Sequence, residues 1–88
     1  MNLVKISSSK PYKAVSDDAI RLFEHLVSRR EKIDLTYSHK AVERKLEGAR
    51  VTGISQGSDE CFLQLLDSGI ELLIRLDAIT SVNGKPIV

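Results

Sequence analysis

The chain has 88 residues, 42% of them apolar and 28% charged, with a net charge of +1. That length suits one domain and not two, and near-neutrality excludes a generically basic nucleic-acid binder. No stretch approaches the run of about 18 apolar residues that a transmembrane helix needs. The start, MNLVKISSSKPYK, has no apolar secretory core, so the reading is a cytoplasmic protein with no membrane contact. Cys61 is the single cysteine, which excludes an internal disulfide and a cysteine-based metal site. A chain this small with neither staple is expected to gain stability by homo-oligomerisation.

Residues 1–15 read as a loosely ordered segment ahead of a domain at 16–88. SSSKP is a polar turn run that Pro11 keeps out of a helix, and Leu3 to Ile6 can add an edge strand. Residues 17–30 read as a helix. Ser16 caps it, Asp17 and Asp18 oppose the positive end of its dipole, and Arg29 and Arg30 suit its negative end. Its apolar residues, Ala19, Ile20, Leu22, Phe23, Leu26 and Val27, recur at helical spacing. Of these, Ile20, Phe23 and Val27 are expected to be buried.

The remainder reads as strands. Residues 32–38 alternate, with Ile33, Leu35 and Tyr37 on one face. His39, Lys40 and Ala41 then make a short connection. Residues 42–54 change apolar phase at Gly48, which predicts a bulge or sharp bend. Turns follow at 55–59, at Asp67, Ser68 and Gly69, and at Asn83 and Gly84. They separate strands at 60–66, 70–76 and 79–82. One helix followed by about five short strands, one of them strongly bent, predicts a mainly β fold. The expected form is a small five-stranded antiparallel barrel capped by the helix.

The order of these elements over roughly residues 16–82 resembles the Sm-like, or SH3-like, barrel, and within it Hfq. FEHLVSRREKIDLTY, KLEG and DAITSV carry that resemblance, and Ile74-Arg75 echoes the start of the Sm Ile-Arg-Gly signature. Leu76 and Asp77 stand where Hfq has its uridine-binding Lys-His pair, and Asp77 would repel phosphate there. Arg75-Leu76-Asp77 and Ile79-Thr80-Ser81 also resemble the Rho-binding antiterminator family, Rof. Its members are Sm-like barrels that block the RNA contacts of the termination factor Rho. The resemblance therefore implies a binding module for RNA or for an RNA-handling protein such as Rho.

Nothing in the residues themselves suggests an enzyme or a small-molecule substrate. His25 and His39 lack metal-ligand spacing. Asp17 and Asp18 belong to the helix start, Cys61 opens an apolar strand, and no glycine pattern matches a phosphate loop. No cofactor is expected. The charge is uneven, however. Residues 29–50 hold seven bases against four acids, and residues 57–88 hold five acids against two bases. Arg29, Arg30, Lys32, His39, Arg44, Lys45 and Arg50 are the candidate RNA- or partner-binding residues, because cations hold phosphate. Tyr12, Phe23, Tyr37 and Phe62 are the only aromatics, and the last three read as core, so base-stacking platforms are scarce. Arg75, Asp77, Thr80 and Ser81 are expected to tie a structural corner between two strands. Leu66 and Leu73, apolar residues on strands apolar on both faces, mark a possible subunit contact.

Overall fold

The computed structural model describes residues 3–6, 11–57 and 59–87. Most of the expected SSSKP turn, and Ser58 of the 55–59 turn, lie outside them. The elements are β1 (Leu3–Ile6), α1 (Asp17–Arg29), β2 (Lys32–His39), β3 (Val42–Gln56), β4 (Cys61–Asp67), β5 (Ile70–Arg75), a 3-10 turn (Leu76–Ala78), β6 (Ile79–Val82) and β7 (Lys85–Pro86). Among the described residues, no helix is long and apolar enough to cross a membrane.

α1 starts where its chemistry predicts. The Ser16 hydroxyl accepts the Ala19 N–H at 3.2 Å, and Asp17 and Asp18 fill the first turn. The helix stops at Arg30, which adopts a left-handed φ of 51° and donates its N–H to the Leu26 carbonyl at 2.9 Å. Ala19, Phe23 and Leu26 form the buried stripe, and α1 packs on β3. Val27 is half-buried against the core, whereas Ile20 stays 37% exposed. The expectation that Ile20 is buried is therefore corrected. Residues 20 and 27 flank the stripe through Ala19, Phe23 and Leu26, so a stripe narrower than the apolar pattern leaves an edge residue in water.

The fold is mainly β with one helix, but it is not the closed five-stranded antiparallel barrel that the pattern predicted. Among the described residues, seven strands form one open, mixed sheet in the order β1-β5-β4-β3-β2-β6-β7. β2 to β6 are mutually antiparallel where they pair. The physical reason for the open ladder lies at its two ends. β1 adds to β5 in parallel, and β7 adds two residues to β6. Both edges are thus covered by short strands, one of which contains Pro86, and such edges resist further pairing.

The bend in β3 has a visible origin. Between Ile33 and Leu35 the register with β3 shifts by one residue, so that Ile33 faces Ala49 and Leu35 faces Leu46. Gly48 takes φ +65° at this bulge and donates its N–H to Asp34 Oδ1 at 3.1 Å. Asp34 also accepts through its carbonyl from the Asn83 N–H at 2.7 Å and donates its own N–H to Asn83 Oδ1 at 2.9 Å. One side chain and one backbone unit of β2 therefore pin the neighbours on both sides. The core sits on the face of the sheet that α1 covers, built from Phe23, Ile33, Leu35, Tyr37, Val51, Leu63, Leu65 and Ile74.

Candidate nucleic-acid interface

Two charged regions stand out. The first is the corner after β5. Arg75 is only 3% exposed, yet it is fully charged. Its Nε donates to Asp77 Oδ1 and its Nη2 donates to Asp77 Oδ2 at 2.7 Å, a bidentate pair. Nη2 also reaches the Pro11 carbonyl at 3.5 Å, and Nη1 lies 3.7 Å from Glu60 Oε2. The guanidinium stands 5.6 Å from the centre of the Tyr12 ring, and the Lys13 N–H donates to Asp77 Oδ2 at 3.0 Å. The hydrogen bonds to Asp77 hold Arg75 above its ordinary pKa, against the opposing effect of burial. Burial pushes the Tyr12 hydroxyl up, and the neighbouring Cys61 and Asp77 add to this. Residues 11–13 are thus clamped onto the sheet by an ion pair that their own ring helps to cover.

Thr80 and Ser81, expected in the same corner, are not part of this cluster. The Thr80 hydroxyl donates to the Thr36 carbonyl at 3.1 Å and lies 3.4 Å from Glu43 Oε1. Ser81 pairs in register with Thr36. These two residues fasten β6 to β2. The residues that complete the Arg75 corner, Tyr12 and Glu60, were not singled out from the sequence. Only an i, i+2 Arg-x-Asp spacing was visible there, and its partners lie far away along the chain.

The second region holds the candidate cations, which the fold does not gather into one rim. Residues paired across antiparallel strands share a face. Lys45 pairs with Thr36, on the outer face, while Arg44 pairs with Tyr37, whose side chain belongs to the core. Arg44 and Lys45 therefore leave the sheet on opposite sides. Lys45 is within 3.7 Å of Glu47, and Arg29 is hydrogen-bonded to Glu31 at 2.8 Å, both at exposed positions. Such pairs add little stability, but they neutralise the cation locally. His39 ends β2 instead of opening the turn, and it is half-buried.

What the fold does bring together is Lys32 and Arg50. They are register partners on β2 and β3, both exposed. Neither makes an ion pair or a side-chain hydrogen bond among the described residues. Like charges placed directly opposite cost roughly 0.2–1 kcal/mol. Arg30, at the exposed end of α1, is two residues from Lys32. Along β2, Lys32 lies roughly 13 Å from Thr36 and its partner Lys45 at the usual strand rise, with Asp34 and Glu47 between them.

The row through Lys32 and Arg50 continues across the sheet. Arg50 faces Leu66, Leu66 faces Glu71, and Glu71 faces Leu3. A groove of about 190 Å³ lies along the far end of this row, lined by Leu3, Thr52, Gln64, Glu71 and Leu73 among others. Glu71 was not singled out from the sequence, because the register that places it here is non-local. Among the described residues, no group of His, Cys, Asp and Glu is arranged to hold a metal ion. Comparison with protein-family models, with curated proteins and with solved structures gave no match.

Proposed function

We propose that this protein is a non-enzymatic regulatory binding module of the Sm-like kind that takes RNA through Arg30, Lys32 and Arg50. The observation that carries the reading is the register pairing of two exposed, uncompensated cations on adjacent strands. A bridging phosphate relieves their mutual repulsion, and neutralising backbone phosphates is the main source of affinity for nucleic acid. Arg44 and Lys45 contribute less, because they face opposite ways and Lys45 is held by Glu47. Few aromatic faces are free, so binding is expected to be salt-sensitive and weakly base-selective.

The test is fluorescence anisotropy of labelled A-rich and U-rich RNA at low and physiological salt. K32E/R50E is expected to weaken binding by at least tenfold. It should also flatten the log-affinity salt slope by roughly 1.4, at about 0.7 per lost phosphate contact on a single strand. R44E/K45E is expected to do less. If both double variants bind as the parent does, the cation pair is not the site.

A second reading is favoured by the apolar residues left bare beside the groove, Leu3 and Leu66. In it the module binds an RNA-handling protein and makes no RNA contact of its own. The resemblance at Arg75, Leu76 and Asp77 makes Rho the first partner to try. Absence of RNA binding by the parent even at low salt would favour this reading.

A further inference from the structure

The row Lys32, Arg50, Leu66, Glu71, Leu3 crosses five strands at one level and is exposed at every position. Its centre is apolar and its two flanks carry opposite charge. Leu66 is 38% exposed and Leu3 58% exposed. Arg50 and Glu71 stand one strand to either side of Leu66, so their backbones are roughly 9.6 Å apart. Neither side chain makes an ion pair among the described residues.

We propose that this outer face is where two copies of the chain associate, with Leu66 on Leu66 and Arg50 of each copy against Glu71 of the other. Two sheets that meet face to face are related by a two-fold axis lying in the contact plane. An axis along the strands above Leu66 reverses the row, and it places each Arg50 over the other copy's Glu71. An axis along the row would instead set Arg50 against Arg50, which like-charge repulsion disfavours. The favoured arrangement keeps the strands of the two copies aligned, as in ordinary sheet-on-sheet packing, and it is self-complementary as an isologous contact must be.

Lys32 then lies over Leu3, where its aliphatic stem covers the leucine and its amine stays in water. In the next row, Leu73 of one copy meets Thr52 and Gly53 of the other, beside the groove. Face association is also the route the edges leave open. β1 and β7 already cover β5 and β6, and β7 offers only two residues for further pairing.

The contact is small. Five strands span roughly 19 Å, so a patch of about that height buries on the order of 700 Å² in total, well short of a standard interface of about 1,600 Å², and the dimer is weak and forms at high micromolar concentration. This inference does not rest on RNA binding and is tested without nucleic acid. Sedimentation equilibrium of the full chain from about 20 µM to 1 mM should show a monomer–dimer equilibrium. R50E and E71R should each weaken it by tenfold or more, because each creates a like-charge contact. Combining them as R50E/E71R should restore it, because the pair is then reversed and complementary again. Circular dichroism melts confirm that each variant folds. A parent chain that stays monomeric at 1 mM, or a dimer indifferent to the single reversals, overturns the proposal. A dimer that the double reversal fails to restore overturns it as well.

Discussion

Arg50 and Arg75 both lie on the same face of one sheet, by the register and alternation of β3, β4 and β5, yet their surroundings differ completely. Arg75 is buried, doubly hydrogen-bonded to Asp77, close to Glu60 and stacked near Tyr12. Arg50 is exposed and faces Lys32 with no carboxylate in ion-pair reach among the described residues. A buried arginine with matched acceptors is committed, because its charge has been taken out of water and cannot be lent to a ligand without leaving a partner bare. An exposed arginine opposite another cation is held in a slightly unfavourable arrangement that an anion relieves. The contrast separates the part of the charge pattern that builds the fold from the part that remains open for binding.

The largest effect that would sharpen this contrast is expected at Asp77. D77A removes the bidentate acceptor of the buried Arg75 guanidinium, whose Nη1 lies 3.7 Å from Glu60 Oε2. Breaking a buried pair by deleting one member costs about 3 kcal/mol, or on the order of 15 °C in Tm for a chain of this size. Thermal unfolding followed by circular dichroism measures it, and RNA affinity of the folded fraction should be unchanged. A loss of RNA affinity without a loss of stability would break the assignment of this corner to structure.

Much of the fold was legible because its signals are local. The Ser16 cap, the stripe of Ala19, Phe23 and Leu26, the alternation of Ile33, Leu35 and Tyr37, and the bend at Gly48 all lie within a few residues of one another. The opposite facing of Arg44 and Lys45 was legible too, since adjacent strand residues point to opposite faces, although both stand among the candidate binding residues. The rest depends on register. Lys32 and Arg50 are 18 positions apart, and Leu3 and Glu71 are 68 apart, so their adjacency follows from which strand lies beside which. The parallel docking of β1, which keeps the sheet open, leaves no mark on the four residues LVKI. The burial of Ile20 was overestimated because helical spacing allows a stripe wider than the one the sheet covers.

A smaller change should sharpen the exposed side of the comparison. K32E places a carboxylate opposite Arg50 where a like charge stood. Exchange of a repulsive cross-strand pair for an attractive one is worth about 0.5 kcal/mol, so the variant should melt roughly 3 °C higher while binding RNA less tightly. Stability and binding then move in opposite directions, which is what an exposed charge kept for a ligand predicts. If K32E melts lower than the parent, Lys32 has a structural role and the distinction between the two regions fails.

The smallest effect at neutral pH is expected at Tyr12, and it appears only on titration. Burial raises the Tyr12 hydroxyl above its ordinary value of about 10, with Cys61 and Asp77 adding to the shift. The unfolded chain therefore ionises this group before the folded protein does. Its contribution to stability is complete below the unfolded value and is lost as pH rises through the folded one, because the unfolded state binds fewer protons over that interval. Y12F keeps the ring beside Arg75 and removes the ionisation. Urea unfolding at pH 8 should find parent and variant nearly alike. Above pH 10 the parent should lose stability relative to Y12F. The difference is the signature of a ring packed over the committed arginine, and no such difference should follow from substitutions at Lys32 or Arg50. Parallel curves for parent and Y12F through the alkaline range would mean that residues 11–13 come off the sheet before the hydroxyl titrates, leaving Arg75 to Asp77 and Glu60.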